Sequence, residues 1–513
     1  MDGSGSGKSA SYSIPNAYQC LGSYVFTDPK GELYDRTAGY LKEHGYEIKV
    51  LNLVRPQYSD GYNPLMHISS ELDVDVIANT IVKGQKTDSG SDPYWDDMAE
   101  MLLKALIYYL IATRPEEEQN LASCAELVRA ANNNGGSNLL SDLMSQLPYD
   151  HPARMYYKSI EIAPEKTYGS ILSSLQSKLG KFDSKEIAEL TSTDTIDFEE
   201  IGSKKTAVYV ISSDTHTAYD FLLTIFFSQM IQQLYDYADR NGGRLKERTY
   251  FILDEFANIG KIPDFDKKIS TSRSRGISFS VILQNIDQLE AVYEKSYETI
   301  MGNCDTHVFL GSNSFKTVEY FSKQLGEKTI GRDSTSVNKD KQNHKTGKSV
   351  SDQVMGRALM TPDELRRMDN DLCIIYEKGL KPVKANKFYY FKHPMAKEMA
   401  KLEISHNDIG EINRGTWRKY NPYNPYVENN GEEKANNLNI DSLDDLFDNV
   451  DENKKVEAPQ PTVAEAKKED KPLDSALDLD DAPVLPQDEE DTYDLQKELE
   501  AKFDELFGPL DED

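Results

Sequence analysis

Short runs of consecutive apolar residues recur along this 513-residue chain and alternate with helical patterns. A strand buried on both faces of a parallel sheet has this uninterrupted apolar character, whereas a half-exposed strand alternates apolar and polar residues. Alternation of strands with helices favours a parallel sheet with helices on its faces. We therefore predict a doubly wound α/β domain with strands at Tyr24–Thr27, Tyr46–Leu53, Ala207–Ser212, Thr249–Glu255, Ile277–Gln284, Thr306–Ser312 and Asp371–Lys378.

The pattern changes after residue 93, where apolar residues such as Met98, Met101 and Ala105 recur at helical spacing. The most apolar run, from Met101 to Ala112, contains Lys104 and is too short to span a bilayer, so we predict a core helix there. The predicted domains are a discontinuous α/β domain at 1–92 and 201–400, an all-α insertion domain at 93–200, and a linker at 401–429.

The acidic charge of the chain is concentrated near its C-terminus. Residues 430–513 carry 28 acidic and 8 basic side chains, so the preceding residues hold only about −9 of the net charge of −29. Such a composition predicts a disordered acidic tail. The remaining body is not acidic enough to exclude DNA as a partner, although affinity for nucleic acid comes largely from basic residues.

Four cysteines, Cys20, Cys124, Cys304 and Cys373, lie far apart and none forms a CxxC pair. This spacing suggests neither a disulfide framework nor a zinc site. Reduced thiols in a cytosolic setting are the simplest interpretation.

The first residues, MDGSGSGKSAS, resemble a phosphate-binding loop. Glycines let backbone N–H groups turn towards phosphates, a lysine supplies charge, and a hydroxyl binds Mg²⁺. The match is partial, because Asp2 stands where the first glycine belongs and no strand leads into the loop. A flexible Gly/Ser start or a cloning remnant is the alternative. The candidate ATP-binding residues are Gly3, Ser4, Gly5, Ser6, Gly7, Lys8 and Ser9.

The run TYFILDEFANIG ends an apolar strand in two carboxylates, Asp254 and Glu255. Ligands bind at the carboxyl ends of strands in parallel sheets. In a nucleotide hydrolase, Asp254 would help to hold Mg²⁺ and Glu255 would orient or deprotonate the attacking water. The alternative is a strand that merely ends in two solvated acids.

Polar side chains also flank the next predicted strand. Gln284 ends it and could sense the terminal phosphate of a nucleotide or orient water. Arg273 and Arg275 precede it in SRSRG, and an arginine delivered across a subunit boundary could stabilise transition-state charge. Either arginine could instead form an ordinary ion pair.

Several blocks together resemble the type IV coupling proteins of conjugative DNA transfer, the TraG/TraD group. They are GSGSGKS, VFTDPKGEL, YEIKVLNL, FILDEFANIGKIPDF, STSRSRGISFSVILQNIDQL and RALMTPDELRRM. The resemblance covers roughly residues 1 to 400. It implies a RecA-like P-loop NTPase domain in a membrane-anchored hexamer, a DNA-dependent ATPase that uses ATP and Mg²⁺. Its partners would be DNA, a relaxase and a type IV secretion channel.

The resemblance also implies roles for individual residues. Lys8 and Ser9 would bind phosphate and Mg²⁺, Asp254 and Glu255 would serve metal and water, Arg273 would act on a neighbouring subunit, and Gln284 would sense nucleotide. The helical insertion would recognise substrate and DNA.

Two features of the family, transmembrane helices and the strand before the loop, are not found in this sequence. We expect a truncated product or remnant, cytosolic by itself, whose complete form lies at the cytoplasmic face of the membrane. An unpaired edge or slot in the sheet should result. The main hypothesis is ATP-driven DNA movement. A non-catalytic adaptor that binds partners through its helical domain and tail is the alternative, and a soluble helicase or DNA-packaging ATPase fits less well.

A polar stretch between Lys328 and Lys348 contains six basic residues against two aspartates, and we predict a mobile basic loop there. Its lysines could contact DNA phosphates in a sequence-tolerant manner. A solvated linker is the alternative. The lysines concerned are Lys339, Lys341, Lys345 and Lys348.

Overall fold

The computed structural model describes residues 7–84, 93–132, 138–213, 219–339 and 346–426. The predicted acidic tail, 430–513, lies outside these residues. Ten strands are found in the described part: β1 Ser23–Thr27, β2 Glu47–Asn52, β3 Thr206–Ile211, β4 Thr249–Leu253, β5 Ile277–Val281, β6 Thr306–Phe309, β7 Glu327–Lys339, β8 Thr346–Ala358, β9 Leu372–Glu377 and β10 Val383–Asn386.

A five-stranded sheet forms the centre of the fold, with strand order β2-β3-β1-β4-β5 and every pairing parallel. Every residue of β1 and β3 is buried, as consecutive apolar residues require when helices cover both faces of a sheet. The predicted α/β class with a parallel sheet is therefore confirmed.

Helices cover the sheet and continue into a large helical region. They are α1 Ile14–Ala17, α2 Glu32–Glu43, α3 Glu71–Lys83, α4 Pro93–Thr113, α5 Leu121–Asn132, α6 Leu139–Ser145, α7 Pro152–Glu161, α8 Glu165–Leu179, α9 Lys185–Ser192, α10 Phe198–Ser203, α11 Asp220–Arg240, α12 Phe265–Arg275, α13 Ile286–Tyr293, α14 Tyr297–Gly302, α15 Phe315–Leu325, α16 Pro362–Arg366 and α17 Ala396–Met399. Among the described residues, none of these helices combines the length and apolar character needed to cross a membrane.

Helices α3 to α10 occupy the chain between β2 and β3 without an intervening strand in its described residues. Their buried side chains, such as Leu102 and Leu175, belong to the same apolar cluster as Val25 and Phe251 of the sheet. The helical region thus packs on the sheet through a continuous core. The domain boundaries at 93 and 200 remain predictions.

The last two predicted strands do not join the parallel sheet, contrary to our expectation. Strands β6 and β9 pair antiparallel with each other, and β10 pairs antiparallel with β9, in a separate three-stranded sheet. Its edge strand β6 is only half-buried, since Phe309 packs in a small cluster with Ile374 while Thr306 and Val308 are exposed. The apolar runs alone could not distinguish this half-buried sheet from a fully buried one.

The predicted basic loop is also corrected by the structure. Strands β7 and β8 form a two-stranded antiparallel hairpin whose register runs from Glu327↔Ala358 to Lys339↔Thr346. Thirteen cross-strand pairs join the two strands, so polar composition did not prevent strand formation. Lys341 and Lys345 and the side chains of Lys339 and Lys348 lie outside the described part of the chain.

Strand β5 lies at the edge of the parallel sheet and faces β6 of the smaller sheet across a gap. A cavity of about 580 Å³ occupies this gap, and residues 277–285 and 303–312 form most of its lining. Lys8 and Tyr12 line it as well, so the loop segment lies beside the gap.

Candidate functional site

Three strands of the parallel sheet end at one edge and bring their next residues together. Thr27 pairs with Leu253, and Leu253 pairs with Val281, so β1, β4 and β5 terminate in register. Asp254 and Glu255 follow β4 directly. The side chain of Thr27 donates a 2.6 Å hydrogen bond to the backbone oxygen of Asp254, which fixes the end of β4.

Lys8 approaches this edge from the loop. Its Nζ lies 2.9 Å from Oε1 of Glu255 and 3.7 Å from Oδ1 of Asp254. Gly7 has φ +70°, a conformation that glycine adopts without steric cost, and a helical segment begins directly after it. Ser9 is the first residue of a π-helical turn, Ser9–Ser13, that continues into α1. The predicted residues Gly3, Ser4, Gly5 and Ser6 lie outside the described residues.

Glu255 adopts the left-handed conformation, with φ 51° and ψ 46°. This conformation costs a non-glycine residue roughly 1–2 kcal/mol, and such strain is characteristic of functional sites. The bend turns the Glu255 carboxylate towards the loop instead of continuing the strand. Neighbouring backbone bonds, from Phe256 N to Ile282 O and from Ile282 N to Leu253 O, hold the bend in place.

Asp254 is largely buried beside Lys8, and its oxygens could hold a metal ion together with Ser9. Ser9 Oγ lies 3.4 Å from Oδ2 of Asp254. Burial raises the pKa of Asp254, while Lys8 opposes this shift and the Glu255 carboxylate adds to it. A hydroxyl beside a carboxylate suits Mg²⁺, which is bound through one or two protein oxygens and completes its shell with water and phosphate. The residues present therefore fit the predicted metal.

Gln284 joins the same group of side chains. Its Nε2 donates a 3.0 Å hydrogen bond to Oε1 of Glu255, the oxygen that also accepts from Lys8. Gln284 thus contacts the predicted general base from the β5 side, as Lys8 does from the loop side. Four predicted residues therefore meet at this edge: Lys8 and Gln284 both donate to Glu255, and Lys8 also lies 3.7 Å from Asp254.

The two arginines do not belong to this group. Arg273 lies at the end of α12, before β5, whereas Gln284 follows β5, and a five-residue strand separates such positions by about 17 Å. The Arg273 side chain is 92% exposed, and its closest acid, Asp305, is 3.9 Å away. Arg275 donates two hydrogen bonds to Asp239, at 3.0 and 3.1 Å, which is the ion-pair alternative given above.

Thr27 and Asp28 were not singled out as site residues by the sequence, although both stand at the end of the first predicted strand. Asp28 is 2% exposed, and its Oδ2 accepts a 2.8 Å hydrogen bond from the backbone N–H of Tyr34. Polar residues at the end of an apolar strand could have identified Thr27 and Asp28, because the same pattern identified Asp254.

Burial raises the pKa of the Asp28 carboxyl to about 7, well above its ordinary value, although the backbone N–H groups of Tyr34 and Leu33 oppose the shift. The native state then binds more protons than the unfolded state between about pH 4 and pH 7. Stability should therefore fall as pH rises through this range and level off above it.

Asp28→Asn should remove this pH dependence, because the amide stays neutral. We expect the variant to be more stable than the wild type at pH 8, by on the order of 2 kcal/mol, and to match it near pH 4. Urea unfolding at pH 4, 6 and 8 measures the difference. Parallel stability profiles for the two proteins would contradict the assignment.

The profile of the family described as type IV secretory system conjugative DNA transfer matches residues 1–411. Conjugal transfer protein TraG of Escherichia coli is 26% identical over 427 residues, covering 76% of this chain and 66% of that protein. Protein VirD4 of Agrobacterium fabrum is 24% identical over 419 residues, covering 78% and 59%. The chain spans less than two thirds of the length of these curated relatives.

Two solved structures of the conjugative coupling protein TrwB are also similar. The unbound form of TrwBdeltaN70 is 15% identical, with a TM-score of 0.46, over 73% of this chain and 86% of that one. TrwB in complex with ADP and Mg²⁺ is 15% identical, with a TM-score of 0.44, over 73% and 87%. Since the family profile covers well over half of the sequence, the chain belongs to the type IV secretory system conjugative DNA transfer family.

Proposed function

We propose that the chain is the motor portion of a coupling protein that hydrolyses ATP to move relaxase-bound DNA towards a type IV secretion channel. The observation that carries the proposal is the convergence of Lys8, Asp254, Glu255 and Gln284 at one sheet edge. Membership of a DNA transfer family supports DNA as the substrate. ADP with Mg²⁺ is the ligand named for the similar TrwB structure.

The loop residues bind the phosphates in this proposal. Gly7 presents its backbone, Lys8 supplies positive charge, and Ser9 and Asp254 hold Mg²⁺, which neutralises charge on the phosphate oxygens. In the structure, the positive charge of Lys8 is paired with the Glu255 carboxylate, with Nζ 2.9 Å from Oε1. Phosphates would draw Lys8 away and leave the Glu255 carboxylate free to accept a proton from water.

Glu255 and Gln284 deprotonate and orient the attacking water in this proposal. A general base must lie within hydrogen-bonding reach of the proton that it removes, and the bent backbone at Glu255 aims its carboxylate at the loop. Gln284 already donates to that carboxylate, so it can hold the base or the water in line with the terminal phosphate. Glu255 follows β4 and Gln284 follows β5. A change in the bound nucleotide that moves one of these side chains would therefore be transmitted to the other strand.

Arg273 serves a neighbouring subunit in this proposal. Its exposure of 92% and its position at the end of α12, before β5, leave its side chain accessible to the nucleotide of an adjacent copy. A ring of six copies, anchored to the membrane in the complete protein, would place it there. Four lysines in the stretch 328–348, Lys339, Lys341, Lys345 and Lys348, are proposed to contact the DNA backbone.

ATP hydrolysis by the purified chain, with and without single- and double-stranded DNA, tests the proposed function. We expect Mg²⁺-dependent turnover that DNA increases several-fold and that added salt suppresses, because phosphate contacts release counterions. Turnover that DNA leaves unchanged would contradict a DNA motor. Absence of ATP binding under every condition would favour the adaptor, in which case deletion of residues 430–513 should abolish partner binding.

A further inference from the structure

An aromatic segment, Tyr389–Lys392, runs alongside the phosphate loop and has no part in the chemistry described above. It follows β10 and includes a 3-10 turn, Tyr390–Lys392. Tyr389 packs on the loop, since a methyl group at Gly7 would lie 3.1 Å from its Cε1 atom. Tyr390 packs edge-on against Tyr18, just after α1, with ring centroids 6.4 Å apart. The segment is therefore held at two points along the loop and its helix.

Phe391 extends this contact outward. Its ring stacks on Tyr389, with centroids 5.1 Å apart and planes 17° apart, yet 55% of the residue is exposed. The hydroxyl of Tyr389 donates a 3.1 Å hydrogen bond to Asp371, which restrains the tyrosine ring. Lys392 places its Nζ 4.7 Å from the Tyr389 ring centroid. Tyr390 lies edge-on to Phe391, with ring centroids 5.5 Å apart. The result is an oriented aromatic pair beside Gly7, in which the Phe391 ring stays more than half exposed and a cation lies close by.

An exposed, well-oriented aromatic face beside a phosphate site suits a nucleotide base. Bases stack on aromatic side chains with a free energy of about 1–3 kcal/mol, and the contact tolerates any base because every base has a π-face. Phe391 stacks directly on Tyr389, the tyrosine that contacts the loop at Gly7. A nucleotide whose phosphates lie at Gly7, Lys8 and Ser9 would carry its base towards this pair.

We propose that Tyr389 and Phe391 form the base-binding platform of the nucleotide site, with the exposed face of Phe391 stacking on the base. The inference rests on the proposed function, because it requires a nucleotide at the loop. Recognition by stacking alone means that purine nucleoside triphosphates bind with similar affinity. Inorganic tripolyphosphate, which has no base, makes no use of the platform.

Calorimetric titration of the full chain with ATP, GTP and inorganic tripolyphosphate, in the presence of Mg²⁺, tests the inference. Phe391→Ala should weaken ATP and GTP binding about 10-fold, in line with the stacking free energy, and leave tripolyphosphate binding unchanged. Phe391→Trp should restore ATP affinity. Phe388→Ala is a matched control, because Phe388 is 56% exposed in the same segment but has no stacking contact with Tyr389.

Each other outcome overturns the inference. Wild-type ATP affinity in Phe391→Ala would show that the platform does not touch the base, and a change in oligomeric state of that variant would then identify a subunit contact. Equal weakening of ATP and tripolyphosphate would show that Phe391 only supports the loop. A wild-type chain that binds tripolyphosphate and ATP equally would also exclude the platform, whereas one that binds neither would remove the proposed function itself.

Discussion

Lys8→Ala is expected to reduce ATP hydrolysis by about 100-fold or more. Removal of one preorganised charge that stabilises a transition state typically costs this much. Lys8 is the described loop side chain that carries positive charge to the sheet edge, and its Nζ lies within 4 Å of both carboxylates. Steady-state hydrolysis at saturating ATP, together with a nucleotide-binding titration, measures the effect.

Lys8→Ala should also lower the free energy of unfolding. Without Lys8, the adjacent Asp254 and Glu255 carboxylates, 12% and 19% exposed, repel each other with no countercharge. The variant should therefore lose stability at pH 8, by about 1–3 kcal/mol, and lose less at pH 5, where Asp254 with its raised pKa is more readily protonated.

Lys267→Ala provides the control for both measurements. Lys267 is 77% exposed and pairs with Asp264 on the surface, so its loss should change neither hydrolysis nor stability appreciably. Wild-type hydrolysis in Lys8→Ala would eliminate the loop from the mechanism, and the convergence of side chains would then be a structural ion pair only.

Glu255→Gln is expected to abolish hydrolysis while preserving ATP binding. A positioned general base contributes about 10²- to 10⁴-fold to rate, and the amide cannot accept the proton from water. The Gln side chain keeps the size of Glu and gives up only the ion pair with Lys8, which ATP phosphates would replace. ATP affinity should therefore be equal to that of the wild type or tighter, while single-turnover hydrolysis falls by the stated factor.

Glu294→Gln is the matched control, because Glu294 also has a positive φ, of 49°, but is exposed and remote from Lys8. It tests whether a glutamate with positive φ tolerates replacement by the amide. Hydrolysis by Glu255→Gln at the wild-type rate would assign the base role to another group. Loss of ATP binding together with hydrolysis would mean that Glu255 shapes the loop instead of serving water.

Much of the central sheet could be predicted because its strands are short, apolar and buried on both faces. All five strands of the parallel sheet begin and end within about three residues of the predicted runs. Asp254, Glu255 and Gln284 were predicted from the rule that ligands meet the carboxyl ends of parallel strands. Their convergence with Lys8 follows from the same rule.

Prediction was wrong where the same local pattern permits more than one tertiary environment. The runs at 306–312 and 371–378 also contain consecutive apolar residues, but they pair antiparallel in a separate sheet whose edge strand β6 is partly exposed. The polar stretch at 328–348 forms a long hairpin, since cross-strand backbone pairing does not require apolar side chains. Arg275 forms an ion pair with Asp239, an acid that is 36 residues away in the chain.

The predicted linker, 401–429, shows the same dependence on distant contacts. Within its described residues, Arg414 is buried and donates to the backbone oxygen of Pro56, and Arg418 pairs with the buried Glu118. Tyr420 packs against Arg114 at 4.2 Å. No local pattern in this stretch indicates such packing, because each partner lies some 300 residues or more away in sequence.

The α/β class, the strands of the parallel sheet and the polar residues at their carboxyl ends can be predicted from the amino-acid sequence, because burial on two faces and strand-end polarity are local patterns. Which strands share a sheet, which arginine pairs with Asp239, how Glu255 bends towards Lys8, and the contact of Tyr389 with Gly7 are established only in the folded chain. Those outcomes depend on pairing and packing between residues far apart in the chain, and the free energy of such contacts is not encoded in any single segment.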